Sequence, residues 1–135
     1  LLIKDYPKYP QINEARYGLG WSLQNQKKLG EAVVVYQQVT KATNAESAAK
    51  SRFMIGECAF AQKKFKIAYQ HFLETAFKYP YEEWQAKGYF EAGRCFIELK
   101  QFDQARSTLE TVIEKFPKRP EAKNAMQLLA NLKGK

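Results

Sequence analysis

The chain has 135 residues, 45% hydrophobic and 14% aromatic, which is enough apolar material for one domain with a continuous core and excludes a disordered segment. No apolar stretch approaches the roughly 20 residues that a membrane-spanning helix needs. The net charge of +8 divides unevenly, +6 over residues 1–70 and +2 over 71–135, so the N-terminal half is the more attractive surface for an acidic partner.

Leu1-Leu2-Ile3-Lys4-Asp5-Tyr6-Pro7 resembles the way later segments end, as in Phe77-Lys78-Tyr79-Pro80 and Glu114-Lys115-Phe116-Pro117. Residue 1 is therefore expected to lie inside a helix that began earlier, in an excerpt of a longer protein whose targeting segment, if any, has been cut away. Downstream, apolar residues recur at helical spacing and predict three antiparallel helix pairs. The first runs from Ile12 to Gln26 and Leu29 to Lys41, the second from Ala45 to Gln62 and Phe65 to Lys78, and the third from Glu82 to Leu99 and Phe102 to Lys115. A last helix is expected from Glu121 to Leu132. Pro120 opens it, since its fixed φ and missing N–H suit a first helical position, and Gly134 stops it. Pro7, Pro80 and Pro117 end second helices, because proline disfavours α geometry in the residue before it. Asn44 takes that place once, as a turn residue and helix cap. The whole is expected to be one domain over 1–135, with units at about 12–44, 45–80 and 82–117 and a terminal helix at 120–133.

A set of columns recurs through these units. Gly20, Gly56 and Gly93 are each followed nine residues later by Leu29, Phe65 or Phe102, twelve later by Ala32, Ala68 or Ala105, and sixteen later by Tyr36, Phe72 or Leu109. Gly30 and Ala42 share the glycine–alanine spacing, but Glu46 stands where the bulky residue should fall. The glycine and the alanine let two helices of a pair approach closely. The turn residue plugs the open end of the hairpin, and the sixteenth residue packs between one unit and the next. Self-similarity at 36 to 37 residues points to an all-α solenoid whose work is holding another molecule.

Leu19-Gly20, Ile55-Gly56 and Ala92-Gly93, the three alanines, Tyr36 and Phe72, and the closing prolines resemble the tetratricopeptide repeat over nearly the whole chain. The family's tryptophan near the start of each unit is replaced by Arg16, Arg52 and Tyr89. The period and the closing Tyr-Pro or Phe-Pro resemble the subtype of bacterial envelope proteins, among them the outer-membrane-assembly lipoprotein BamD and the Tol–Pal-associated YbgF. The resemblance implies a right-handed α-α superhelix of about three hairpins plus a terminal helix.

Catalysis finds little to stand on. His71 is the one histidine, beside Phe72, and reads as a partly buried structural imidazole. Glu82 and Glu83 are adjacent, so their side chains diverge at a solvated helix start. Cys58 and Cys95 sit at equivalent positions on helices about 8–10 Å apart, too far for a disulfide, and lack zinc spacing. They read as small core residues, and no metal or cofactor is expected.

What the resemblance implies about the site is an inner wall built by first helices. Carried over residue by residue, that wall takes Glu14, Tyr17, Gly18, Trp21, Gln24 and Asn25 from the first unit. The second contributes Lys50, Phe53, Met54, Glu57, Phe60 and Ala61, and the third Lys87, Phe90, Glu91, Arg94, Ile97 and Glu98. Tyr17, Trp21, Phe53, Met54, Phe60 and Phe90 would form an aromatic trough flanked by Lys50, Lys87 and Arg94, suited to an extended or helical peptide of some acidic character. Phe53 and Phe60 are equally readable as core between repeats. Repeat proteins that grip the carboxylate end of chaperones use a lysine and asparagines where this chain has Tyr17 and Trp21, so that specificity is not expected.

Lys27, Lys28, Lys63, Lys64, Lys66 and Lys100 fall in the turns, where stacking would align them as a cationic ridge that is either solvated or turned to anionic lipid or nucleic acid. The sequence thus reads as a non-catalytic scaffold that captures a protein or peptide segment and takes no small-molecule substrate. The alternatives are a structural spacer that self-associates through its cut ends and, behind it, a basic nucleic-acid or lipid scaffold. Both the cytoplasm and the bacterial periplasm or cell envelope suit its two cysteines.

Overall fold

A computed structural model describes residues 10–135; the expectations for residues 1–7, including the exposed end at Leu1, Leu2 and Ile3, lie outside it. Among the described residues there are seven α-helices and no strands: α1 (Pro10–Asn25), α2 (Leu29–Ala42), α3 (Glu46–Ala61), α4 (Phe65–Lys78), α5 (Glu82–Glu98), α6 (Phe102–Lys115) and α7 (Pro120–Asn131). Each boundary falls within two residues of its sequence expectation.

The hairpin turns explain why the chain reverses where it does. The backbone N–H of Lys28 donates to the carbonyl of Leu23 and that of Lys27 to Gln24, both at 2.9 Å. Lys64 with Ala59 and Lys63 with Phe60 repeat the pattern, as do Gln101 with Phe96 and Lys100 with Ile97. This is a Schellman closure, in which the residue after the helix turns left-handed so that orphan carbonyls find donors. Lys27, Lys63 and Lys100 accordingly have φ of 65°, 61° and 60°. The next helix starts two residues later, which leaves Leu29, Phe65 and Phe102 at its first position.

Inside each hairpin the repeat columns lock together. A Cβ built on Gly20, Gly56 or Gly93 would lie 2.6 Å from an atom of Tyr36, Phe72 or Leu109, so the glycine makes room for the bulky residue sixteen positions on in its own hairpin. Tyr36, Phe72 and Leu109 are fully buried, as are Ala32, Ala68 and Ala105, and burial of each large side chain contributes roughly 1.5–3 kcal/mol. Tyr36 also packs with Ile55 and Cys58 of the following unit, as the sequence reading expected of this column.

The ends of the second helices follow the prolines: α4 stops at Lys78, with Tyr79 extended before Pro80, and α6 stops at Lys115 before Phe116-Pro117. Asn44 does not cap α3. Ala45 holds the cap position, and Thr43 Oγ1 accepts the N–H of Ala45 at 3.0 Å, so the threonine organises this turn.

Consecutive hairpins stack through each second helix against the next first helix. First helices also touch one another, α1 with α3, α3 with α5 and α5 with α7, whereas second helices do not. The inner wall therefore carries the odd-numbered helices. Gly88 makes the closest approach between units, its absent Cβ standing 2.5 Å from the carbonyl oxygen of Phe72 and 3.1 Å from the nitrogen of Ala76.

Candidate functional site

The inner wall opens as a cleft of about 360 Å³ between α3, α5 and α7, lined by Phe53, Met54, Glu57, Trp84, Lys87, Phe90, Glu91, Glu121 and Asn124. Six of these, Phe53, Met54, Glu57, Lys87, Phe90 and Glu91, are inner-wall residues of the sequence reading. Trp84, Glu121 and Asn124 were not anticipated. Glu121 and Asn124 come from α7, which the sequence reading treats only as a terminal helix, although it occupies the place of a fourth first helix.

The floor is apolar and part of it is core. Phe53 is 7% exposed, its ring 5.2 Å from that of Phe72 and 5.5 Å from that of Trp84. Met54 and Phe90 are half-buried. Trp84 donates its indole N–H to Glu46 Oε2 at 3.0 Å, which fixes its rim position. Phe60 packs edge-on to Phe65, with the Arg94 guanidinium 4.9 Å above its ring.

In the first unit the wall is more open. Trp21 is 52% exposed and Asn25 is exposed. Tyr17 is half-buried, its ring 5.9 Å from that of Tyr36 and its face 4.9 Å from Lys50 Nζ. Gln24 accepts the Tyr36 hydroxyl hydrogen bond at 2.7 Å, which gives it a structural duty beneath the wall. Burial pushes Tyr36 far up, and Tyr17 and Cys58 push it further.

Each cation expected to flank the trough already has a carboxylate. Lys50 lies 3.8 Å from Glu14, Lys87 lies 3.1 Å from Glu121 and 4.0 Å from Glu83, and Arg94 lies 2.8 Å from Glu91. Glu121, 7% exposed, also receives Arg119 Nε at 3.2 Å. Burial works to raise Glu121, but the bond from its own backbone N–H and those from Lys87 and Arg119 outweigh it and hold the carboxyl below its usual value. Glu57 has the opposite balance. Burial first, then the Glu91 carboxylate, pushes it up to about 7 against the pull of Arg94. Glu91 is itself raised by burial, although Arg94 and Lys87 act against it.

Cys58 and Cys95 are free and buried, as expected of core residues. Burial raises their thiols to about 11 and about 12, so both stay protonated at neutral pH. His71 is half-buried, and burial, together with Arg52, lowers its pKa and favours the neutral ring. The turn lysines Lys27, Lys28, Lys63, Lys64 and Lys100 are all exposed, as is Lys66, which lies in the first turn of α4 rather than in the turn before it. Two further clefts lie off this wall or at its edge. One, of about 430 Å³, includes Ile97, Glu98, Leu128 and Leu132, and the other, of about 440 Å³, lies between α4 and α6 beside Phe77.

Two tetratricopeptide-repeat family models match the chain, one over residues 17–83 and the other over 59–129. Among curated proteins none matches the sequence. Among solved structures, the type III secretion translocator chaperone SycD of Yersinia enterocolitica is similar at a TM-score of 0.72 and 18% identity, over 92% of this chain and 90% of that one. At that identity the likeness speaks for the shared all-α architecture. With its glycine–alanine columns packed as described and a family model covering more than half its length, the chain belongs to the tetratricopeptide repeat family, and its stacked hairpins form a protein-interaction scaffold.

Proposed function

We propose that the chain is a non-catalytic adaptor that holds an extended or helical segment of another protein in the hollow faced by α1, α3, α5 and α7. The observation that carries this reading is the cleft itself. Phe53, Met54, Trp84 and Phe90 give it apolar walls, and ion pairs around its rim fix the flanking side chains. Apolar anchors of a bound segment would supply affinity there, and charged rim groups would set register and on-rate. Trp21 and Asn25 extend the same wall toward the first hairpin, where Trp21 stands in the column occupied by Glu57 and Arg94 in the next two units.

The reading is tested by photo-crosslinking from position 54 with the intact protein, with mapping of the captured partner, and by affinity measurement with Trp21→Ala. A wall contact predicts crosslinks to one continuous partner segment. It also predicts several-fold weaker binding by Trp21→Ala with unchanged helicity and melting temperature, because an indole half in solvent contributes little to folding. Failure of position 54 to capture any partner, with capture instead from probes placed on α2, α4 or α6, would overturn it. Tyr17→Ala is the poorer probe, since its ring also packs on Tyr36.

A further inference from the structure

We propose that the segment held in the hollow presents a lysine or arginine side chain to Glu57 and Glu91. This rests on the hollow being the binding surface and names one chemical feature of its occupant.

The chain carries +8, yet the cleft is lined by the carboxylates of Glu57, Glu91 and Glu121 against one cation, Lys87. Arg94 and Arg119 stand at its edge on Glu91 and Glu121, so the unanswered negative charge narrows to Glu57, and complementarity of this kind selects partners. Pairing sharpens the point. Lys87 and Arg119 together satisfy Glu121, and Arg94 is held on Glu91 and over the Phe60 ring. Among the described residues Glu57 has neither a hydrogen bond nor an ion pair, so its half-buried carboxylate faces the cleft without a protein partner. Burial of an unpaired charge is unfavourable until an opposite charge arrives. The raised pKa of Glu57 reflects that same unfavourable balance.

The walls suit the stem as well as the head of such a side chain. Met54, Phe53 and Phe90 line the same cleft and offer apolar surface for the methylenes of lysine or arginine, whose charged end can reach the carboxylates. An acidic side chain here would meet Glu57 and Glu91 with every neighbouring cation already engaged. The acidic segment expected from the sequence followed from counting Lys50, Lys87 and Arg94 without their carboxylates.

The test uses positional-scanning arrays of randomised 12-residue peptides, followed by fluorescence anisotropy of the best binder and its glutamine-substituted analogue. Both are titrated with the parent chain, Glu57→Gln and Asn124→Trp. The expected result is enrichment of lysine or arginine at one peptide position and about tenfold weaker binding when glutamine replaces it. That difference should largely vanish in Glu57→Gln, whose melting temperature should match or exceed the parent's. Binders that are apolar or acidic at every position, or a basic preference undiminished in Glu57→Gln, overturn this inference alone, provided that Asn124→Trp, which fills the cleft, still abolishes binding. Binding unaffected by Asn124→Trp, or no binder on the arrays, removes the hollow as the binding surface and the inference with it.

Discussion

Phe72 lies so close over Gly56 that a methyl group there would stand 2.6 Å from its ring edge. The contact recurs between Gly20 and Tyr36 and between Gly93 and Leu109, always within one hairpin. Gly56→Ala should therefore lower stability by about 1–3 kcal/mol through overpacking, despite the better helix propensity of alanine. Gly18, also inside a helix, has nothing within 4 Å of its absent Cβ, and Gly18→Ala should raise stability by roughly 0.5–1 kcal/mol. Urea unfolding of the two variants checks the contrast; equal effects would mean that the glycine column is not defined by this contact.

Lys63 holds a φ of 61°, a conformation that carries a penalty for any residue with a Cβ. Replacement by glycine should stabilise the chain by about 1 kcal/mol, and by valine should destabilise it by at least as much. Thermal melts at fixed pH read both. A Lys63→Gly variant less stable than the parent would show that the lysine contributes something at this turn that its backbone geometry does not.

Glu57 links stability to pH. Its carboxyl is raised from 4.5 to about 7 in the folded chain, which binds the proton more tightly than the unfolded chain does. Its contribution to folding is therefore fully present below about pH 4.5 and lost as pH rises toward 7. Glu57→Gln should be more stable than the parent by about 1–3 kcal/mol at pH 8 and should differ little near pH 4. Denaturation midpoints across this range measure it, and a gap that closes as pH rises would reverse the assignment. Glu91 acts in the same direction, whereas Glu121, held low, loses its contribution as pH falls.

The architecture was legible because its columns are local. Gly20, Gly56 and Gly93 recur with their alanines and bulky residues within a span of seventeen positions, and one hairpin is enough to bring each set together. Six of the inner-wall positions named from the sequence line the cleft, but their ion pairing across units was not legible. Lys87 has Glu83 one turn before it, but its closer carboxylate, Glu121, stands 34 residues away on a helix that bears no repeat glycine. Gly88 and Trp84 escaped for a related reason. Their partners, Phe72 and Ala76 for one and Glu46 for the other, belong to neighbouring units, and only the stacking angle decides that they meet.

The approach of Gly88 to α4 bears on how the hollow can breathe. Its neighbours are peptide atoms of Phe72 and Ala76, which cannot rotate aside as a side chain can, so the second and third hairpins are seated at a fixed spacing. At the corresponding place in α3 stands Ser51, buried and with its hydroxyl unpartnered among the described residues. There a side chain occupies the place that Gly88 leaves empty. Any separation of the second and third hairpins would first have to part the peptide atoms that meet at Gly88.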